Sequence, residues 1–121
     1  MLLLLDDDDG FRSALGDLLG EDGHSVRGYR SISEMPSLDQ LAPPAALITD
    51  YELGDGEDGL SFARRFNAVH PGVPVIIVTA YLSDHLAQSV ADTPYLSLLR
   101  KPVRYEDLHE LLHKPPRAGE G

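Results

Sequence analysis

The sequence predicts an α/β fold, (βα)5 in organisation, in which five parallel strands form one doubly wound sheet with helices on both faces. Short apolar runs without polar alternation occupy residues 2–5, 45–49, 73–78 and 95–99, as in parallel strands that are covered on both faces. Between these runs, apolar residues recur at three- and four-residue spacing, which indicates amphipathic helices. Their alternation favours a parallel sheet, because right-handed crossovers place helices on both of its faces.

The chain begins with a strand, a helix and a weaker strand. Residues 2–5 are wholly apolar, and the apolar positions within 11–19 then follow helical spacing. Gly20 or Gly23 can end that helix. We predict an edge strand at 24–29, where the apolar groups are fewer.

The segment before the central strand has the least regular pattern. Ser31 or Ser33 can cap a short second helix that runs to about Leu41. Pro36 interrupts this helix early, since proline lacks the main-chain donor that a helix uses. The central strand is expected at 45–49.

The second half of the chain gives two further strands and three helices. We place them at 59–69 (helix), 73–78 (strand), 83–92 (helix), 95–99 (strand) and 104–112 (helix). The segment 73–78 is rich in β-branched residues, which favour strands. The helix at 83–92 has few apolar residues, so we expect it to be held less firmly.

Composition restricts the class of protein. A chain of 121 residues with 42% hydrophobic and 25% charged residues is typical of one soluble globular domain. Ten basic against 20 acidic residues give a net charge of −10, which argues against direct contact with nucleic acid. The absence of cysteine excludes disulfides, thiolate metal sites and a cysteine nucleophile.

We expect the domain to occupy residues 1–114 and residues 115–121 to form a flexible tail or linker. The opening Met-Leu-Leu-Leu-Leu has no basic leader and is too short to cross a membrane. We therefore expect a cytoplasmic protein that makes no membrane contact through this domain.

Side chains that can bind ligands or react follow four of the predicted strands. Asp6 and Asp7 follow the first strand, Asp50 the central one, Thr79 the next and Lys101 the last. Ligands bind outside the carboxyl ends of the strands in parallel sheets. These five side chains are therefore expected at one edge of the sheet.

Such a group of side chains has a definite chemistry. Close carboxylates repel one another by roughly 4 kcal/mol per pair at an effective dielectric of 20, so a cation is expected among them. Oxygen ligands alone suit Mg²⁺. A carboxylate beside Mg²⁺ can accept a phosphoryl group, and Asp50 is our candidate. Lys101 and Thr79 are suited to contact phosphoryl oxygens.

These residues resemble the receiver domain of bacterial two-component response regulators. The motifs, in order within residues 1–113, are Leu5-Asp6-Asp7-Asp8 with Phe11-Arg12, Leu47-Ile48-Thr49-Asp50, Ile77-Val78-Thr79-Ala80 and Lys101-Pro102. The resemblance implies a flavodoxin-like fold and a phosphorelay function. A phosphoryl group would pass from phosphohistidine to the domain with Mg²⁺, and its arrival would switch a partner-binding face.

The resemblance also implies roles for the acids. Asp50 is the phosphoacceptor and Asp7 a direct Mg²⁺ ligand. Asp6 acts as a ligand mainly through water, and the main-chain carbonyl of Glu52 is a further ligand.

On the same resemblance, Thr79 is the switch hydroxyl and Lys101 the partner of the phosphoryl group. The bond between Lys101 and Pro102 is expected to be cis. The implied partner is a histidine kinase or a histidine phosphotransfer protein. The domain itself is expected to be a monomer or a weak dimer.

The loop after Asp50 departs from the common pattern of the family. Gly54 and Asp58 stand where the family usually has proline and glycine, and Gly59 comes one residue later. This longer loop resembles receivers attached to hybrid histidine kinases.

Three further positions are expected to modulate the switch. Leu98 stands three residues before Lys101, where the family usually has an aromatic residue. Glu52 and Tyr81 resemble positions that tune the lifetime of the phosphoryl group. We predict that Tyr81 slows hydrolysis by hindering the attacking water.

The residues leave other interpretations open. A Mg²⁺-dependent phosphohydrolase with an aspartyl-phosphate intermediate is the alternative, and Glu52 is its possible acid or base. Whether the chain acts as an enzyme beyond its own phosphorylation and dephosphorylation is not decided by the sequence. Asp8 and Asp9 are interpreted as helix-start acids, and His109 with His113 as surface residues rather than a metal pair.

Overall fold

The structure is a computed structural model that describes residues 1–54 and 56–113, and the predicted tail lies outside them. Its elements are β1 (Leu2–Leu5), α1 (Asp9–Glu21), β2 (Val26–Tyr29), β3 (Ala46–Asp50), α2 (Gly59–Val69), β4 (Val75–Thr79), α3 (Asp84–Ala91), β5 (Leu96–Arg100) and α4 (Tyr105–Leu112). Five parallel strands form one sheet in the order β2-β1-β3-β4-β5. The predicted fold class is thus confirmed.

Each face of the sheet carries its own hydrophobic core, because successive side chains of a strand point to opposite faces. Leu2 and Leu4 of β1 lie in the core that α1 and α4 cover. Leu3 and Leu5 lie in the other core, which α2 and α3 cover. All four leucines are at most 2% exposed, which explains why the first apolar run shows no polar alternation.

The predicted second helix is wrong. Two short 3-10 turns, Ile32–Glu34 and Leu38–Gln40, occupy that segment among the described residues. Ser31 precedes the first turn without a side-chain capping bond, and Met35 is extended, with ψ at 152°. Pro36 accounts for this, since the residue before a proline is disfavoured in the helical region.

Aspartate residues cap the N-termini of two of the helices. The Asp8 carboxylate accepts a hydrogen bond from Phe11 N at 3.0 Å, and Asp58 accepts one from Ser61 N at 2.7 Å. Asp9 lies in the first turn of α1, so the interpretation of Asp8 and Asp9 as helix-start acids is confirmed. None of the helices within 1–54 and 56–113 is long and apolar enough to cross a membrane.

Candidate functional site

The strand register brings the predicted site residues to one edge of the sheet. β1 pairs with β3 from Leu2 opposite Ala46 to Leu5 opposite Thr49, so the residues that follow, Asp6 and Asp50, are neighbours. Asp50 is the last residue of β3 and Thr79 the last residue of β4. Lys101 directly follows β5, and its main-chain N–H donates to Thr79 O at 2.8 Å.

Three carboxylates meet at this edge. One oxygen from each of Asp6, Asp7 and Asp50 lies within 4.8 Å of the other two. Asp6 is 1% exposed and Asp50 is 8% exposed, whereas Asp7 is open to solvent. A set of oxygen donors that is partly buried and partly open fits a hard divalent cation that retains water ligands.

Lys101 joins the acids but is closer to one of them. Its Nζ donates a hydrogen bond to Asp6 Oδ2 at 3.0 Å and lies 3.7 Å from Asp50 Oδ2. The ammonium also lies 4.7 Å from the centre of the Phe11 ring, a cation–π distance. Burial opposes its charge, but the hydrogen bond and the negative charge of Asp6, with those of Asp50 and Asp8, raise the pKa of Lys101.

The pKa of Asp50 is raised above its ordinary value. The main cause is burial, followed by the negative charge of Asp6. Lys101 and the main-chain N–H of Glu52, which lies 3.4 Å from Asp50 Oδ1, act in the opposite direction. The candidate acceptor is thus a carboxylate whose charge the protein alone does not fully compensate, so a cation bound beside it would be stabilising.

The Thr79 hydroxyl is engaged in its own loop. It donates to the Tyr81 carbonyl at 2.8 Å and lies 3.2 Å from Tyr81 N, from which it accepts. Thr79 itself is 1% exposed. To donate to a group bound at Asp50, the hydroxyl has to leave the Tyr81 carbonyl.

Two residues of the site were missed by sequence reasoning. Phe11 was named as part of the first motif and of a helix but was given no role at the site, yet its ring lies 4.7 Å from Lys101 Nζ. A Cβ built on Gly59 would overlap the carbonyl oxygen of Asp50 and lie 2.9 Å from Tyr51 Cα. The glycine at the start of α2 therefore lets the helix approach the strand end that holds the acceptor, a use of glycine that its place in the loop could have indicated.

The residues predicted to modulate the switch differ in burial. Tyr81 is 73% exposed. Leu98 is half-buried and packs against the core that α2 and α3 cover. The Lys101–Pro102 peptide bond is cis, as the resemblance implied.

Comparison with known proteins identifies the family. The model of the response regulator receiver domain matches residues 2–113. The transcriptional regulatory protein GlrR of Escherichia coli (strain K12) is 33% identical over 111 residues, which are 92% of this chain and 25% of GlrR. Sporulation initiation phosphotransferase F of Bacillus subtilis (strain 168) is 23% identical over 115 residues, 93% of this chain and 90% of that protein. The chain thus spans about a quarter of GlrR but nearly all of the phosphotransferase.

Solved structures agree with this result. A response regulator of Burkholderia pseudomallei, solved with a phosphorylated aspartic acid, calcium ion and citrate, has a TM-score of 0.79 at 25% identity and covers 93% of this chain and 66% of its own. The receiver domain from the hybrid histidine kinase CckA, with a TM-score of 0.72 at 21% identity over 92% of this chain and 94% of its own, shows the shared fold. With nearly all of its described residues matched by the family model, the chain belongs to the response regulator receiver domain family.

Proposed function

We propose that this receiver domain takes a phosphoryl group onto Asp50 from the phosphohistidine of a histidine kinase or histidine phosphotransfer protein. The observation that carries the proposal is the convergence of a cation, Lys101, and three carboxylates around one strand end. The relative with a phosphorylated aspartic acid supports the same chemistry. A cytoplasmic location is part of the proposal.

Asp6, Asp7 and Asp50 would hold Mg²⁺, together with the main-chain carbonyl of Glu52. Their oxygen donors fit a hard divalent cation, and the calcium ion in the Burkholderia pseudomallei relative is another such cation. When bound, Mg²⁺ supplies positive charge where the carboxylates and phosphoryl oxygens meet. The raised pKa of Asp50 supports this position for the ion, because Mg²⁺ beside Asp50 would stabilise its ionised form.

The transfer itself asks little of the protein beyond alignment. A carboxylate oxygen of Asp50 forms a bond to phosphorus while the bond between phosphorus and the imidazole nitrogen of the donor breaks, and the imidazole leaves. Lys101 is 3.7 Å from Asp50, close enough to contact a phosphoryl oxygen after a small movement. The carboxylate is itself the nucleophile, so the transfer needs no separate base to activate it.

The same step can reorganise the β4–α3 loop. The Thr79 hydroxyl now donates to the Tyr81 carbonyl, and a phosphoryl oxygen is a stronger acceptor. Turning the hydroxyl toward Asp50 releases that carbonyl and frees the loop before α3. Leu98, in place of the usual aromatic residue, packs against the core, so any relay to β5 would run through the main chain.

Neither the phosphohydrolase interpretation nor attachment to a hybrid kinase is favoured by the comparisons. The family model is that of a response regulator receiver, and GlrR is a transcriptional regulatory protein. The hybrid-kinase prediction therefore remains a prediction, as does the monomer or weak dimer.

Intact-mass spectrometry after incubation with acetyl phosphate tests the proposal. We expect one added phosphoryl group, about 80 Da, that requires both Mg²⁺ and Asp50. Asp50→Asn should show no adduct, whereas Asp84→Asn, which alters an exposed acid in the first turn of α3, should behave like the parent. An adduct that survives Asp50→Asn would contradict the assignment, and multiple turnover of phosphate esters would favour the hydrolase.

A further inference from the structure

Three histidines gather at the edge of the sheet opposite the acids. His24 precedes β2, where the strands begin, and His109 and His113 lie at the end of α4. The His109 and His113 rings are 4.2 Å apart between centres, and the His24 and His113 rings are 6.0 Å apart. The sequence alone favoured surface roles for His109 and His113, but their proximity to His24 suggests another use. We propose that His24, His109 and His113 form a second metal site, for a divalent transition metal.

A hydrogen bond orients one of the imidazoles, and a carboxylate lies near a ring nitrogen of a second. His113 Nδ1 lies 2.8 Å from the His109 carbonyl oxygen, and since a carbonyl only accepts, Nδ1 carries the proton. His109 Nδ1 lies 3.5 Å from Asp22 Oδ2. Metal-binding histidines commonly direct one ring nitrogen to a carbonyl or carboxylate in this way, which leaves Nε2 for the metal.

The carboxylate behind His109 is itself fixed. The Tyr105 hydroxyl donates to Asp22 Oδ2 at 2.6 Å. Burial, followed by this hydrogen bond, raises the pKa of Tyr105 to about 12. Asp22 follows α1 and Tyr105 opens α4. Asp22 and Tyr105 therefore already join the two segments that would carry the metal ligands.

The spacing of two of the histidines suits a metal ion, but the third has to move to complete the site. His109 and His113 are four residues apart on one face, the separation at which two helical histidines reach the same ion. His24 has to turn toward them, since Asp6, Asp7 and Asp50 are the only trio in 1–54 and 56–113 whose ligand atoms already lie within 4.8 Å of one another. His109 and His113 are exposed and His24 is partly exposed, so a metal ion in solution can reach the three rings.

The ligand type selects the metal. Imidazole suits Zn²⁺, Ni²⁺ and Cu²⁺, whereas Mg²⁺ prefers oxygen. Three nitrogens leave one position of a tetrahedral zinc ion for water. The two sites would therefore accept different ions, and the histidine site would tie the end of α4 to the turn before β2.

Calorimetric titration of the full chain with ZnCl₂, in excess Mg²⁺ to occupy the acids, tests the site. We expect one zinc per chain. Single variants His24→Gln, His109→Gln and His113→Gln should each weaken binding by at least about tenfold, since even the loss of an orienting partner has that effect. The matched control is His85→Gln, which removes an exposed histidine on α3 and should bind zinc like the parent.

The imidazole nitrogen signals in NMR spectra provide a second readout that does not depend on phosphorylation. Zinc should shift the signals of His24, His109 and His113 and leave that of His85 in place. The three-histidine site is overturned if zinc affinity is the same in His85→Gln and His113→Gln, or if His24→Gln binds as tightly as the parent. Loss of zinc binding on Asp50→Asn, with no effect of the histidine variants, would also overturn it and assign zinc to the acids.

Discussion

Lys101 is paired more closely with Asp6 than with Asp50, the proposed acceptor: its Nζ is 3.0 Å from Asp6 Oδ2 and 3.7 Å from Asp50 Oδ2. Asp6 is the more deeply buried of the two acids, at 1% exposure. The lysine therefore compensates the charge that water reaches least. The pKa of Asp50 is raised by burial and by the charge of Asp6, so a cation beside Asp50 would favour its charged form.

Replacing this lysine should destabilise the domain. Lys101→Met leaves Asp6 buried without its cation, and we expect the free energy of unfolding without Mg²⁺ to fall by about 1–3 kcal/mol. Added Mg²⁺ should recover part of the loss. Urea unfolding with and without Mg²⁺ measures both effects.

The control for this experiment is Arg104→Met. Arg104 is 74% exposed and lies 3.8 Å from an equally exposed Glu106, so its loss should cost no more than about 1 kcal/mol. Equal losses in the two variants would contradict the role given to Lys101.

Asp50→Asn should stabilise the domain without Mg²⁺ at neutral pH. The pKa of Asp50 is raised in the folded state by burial and by Asp6, so folding favours the protonated form. Ionising Asp50 therefore lowers the free energy of unfolding. This loss is absent below the unfolded pKa, about 3.9, grows as the pH rises from there to the folded pKa, and is complete above the folded pKa. The variant should therefore gain about 1 kcal/mol or more at pH 7 and nothing at the acid end.

Urea unfolding across the pH range measures this gain. Asp84→Asn, at an exposed acid of α3, is the matched control and should show no comparable gain. A stability gain in Asp50→Asn that is as large at pH 3 as at pH 7 would show that the removed charge is not its cause.

Adding a methyl group at Gly59 should disturb the acceptor. In Gly59→Ala the new Cβ would overlap the Asp50 carbonyl and approach Tyr51 Cα, both main-chain atoms that cannot turn aside. We expect a loss of about 1–3 kcal/mol in stability and weaker Mg²⁺ binding, measured by urea unfolding and by metal titration.

Gly16→Ala is the matched control for the Gly59 variant. A Cβ at Gly16 meets nothing within 4 Å, and the residue lies inside α1. Alanine there should stabilise the helix by about 0.5–1 kcal/mol and leave Mg²⁺ binding unchanged. Similar effects at the two glycines would refute the close contact at Asp50.

Tyr81→Ala should shorten the lifetime of the phosphoryl group by several-fold. The Tyr81 carbonyl accepts from the Thr79 hydroxyl, so the residue is adjacent to the site, and we predict that its exposed side chain hinders the attacking water. The decay of the phosphorylated mass measures the lifetime. Leu82→Ala removes the next exposed side chain as a control, and an unchanged decay in Tyr81→Ala would end the hypothesis.

The sequence predicted most of the fold because buried parallel strands leave a strong signal. The apolar runs ended at Asp6, Asp50, Thr79 and Lys101, and the strand register places all four at one edge. The second helix was predicted because Ser31 or Ser33 could cap it, but the segment around Pro36 forms only two short 3-10 turns. A local pattern of that kind does not reveal that a short segment can satisfy its main chain with isolated turns.

The pairings within the site could not be predicted from the sequence. The preference of Lys101 for Asp6 over Asp50 rests on two small differences. The distances from its Nζ differ by less than 1 Å, and the Asp6 side chain is the more buried of the two. The Thr79 hydroxyl likewise chooses a carbonyl of its own loop. Such choices are set by tertiary packing, whereas the type and order of the residues are set by the chain.

The two 3-10 turns between β2 and β3 have a consequence for how the domain opens. The main-chain hydrogen bonds within the turns are isolated, such as Met35 N to Ile32 O and Gln40 N to Ser37 O, and His70 Nε2 ties the Leu38 carbonyl to the end of α2 at 2.8 Å. The strands on either side, in contrast, are hydrogen-bonded along their length in the sheet. Amide hydrogens of this crossover should exchange with solvent long before those of β1 or β3, because local opening there breaks few bonds. It is also the segment in which insertions should be tolerated with the least effect on the acids.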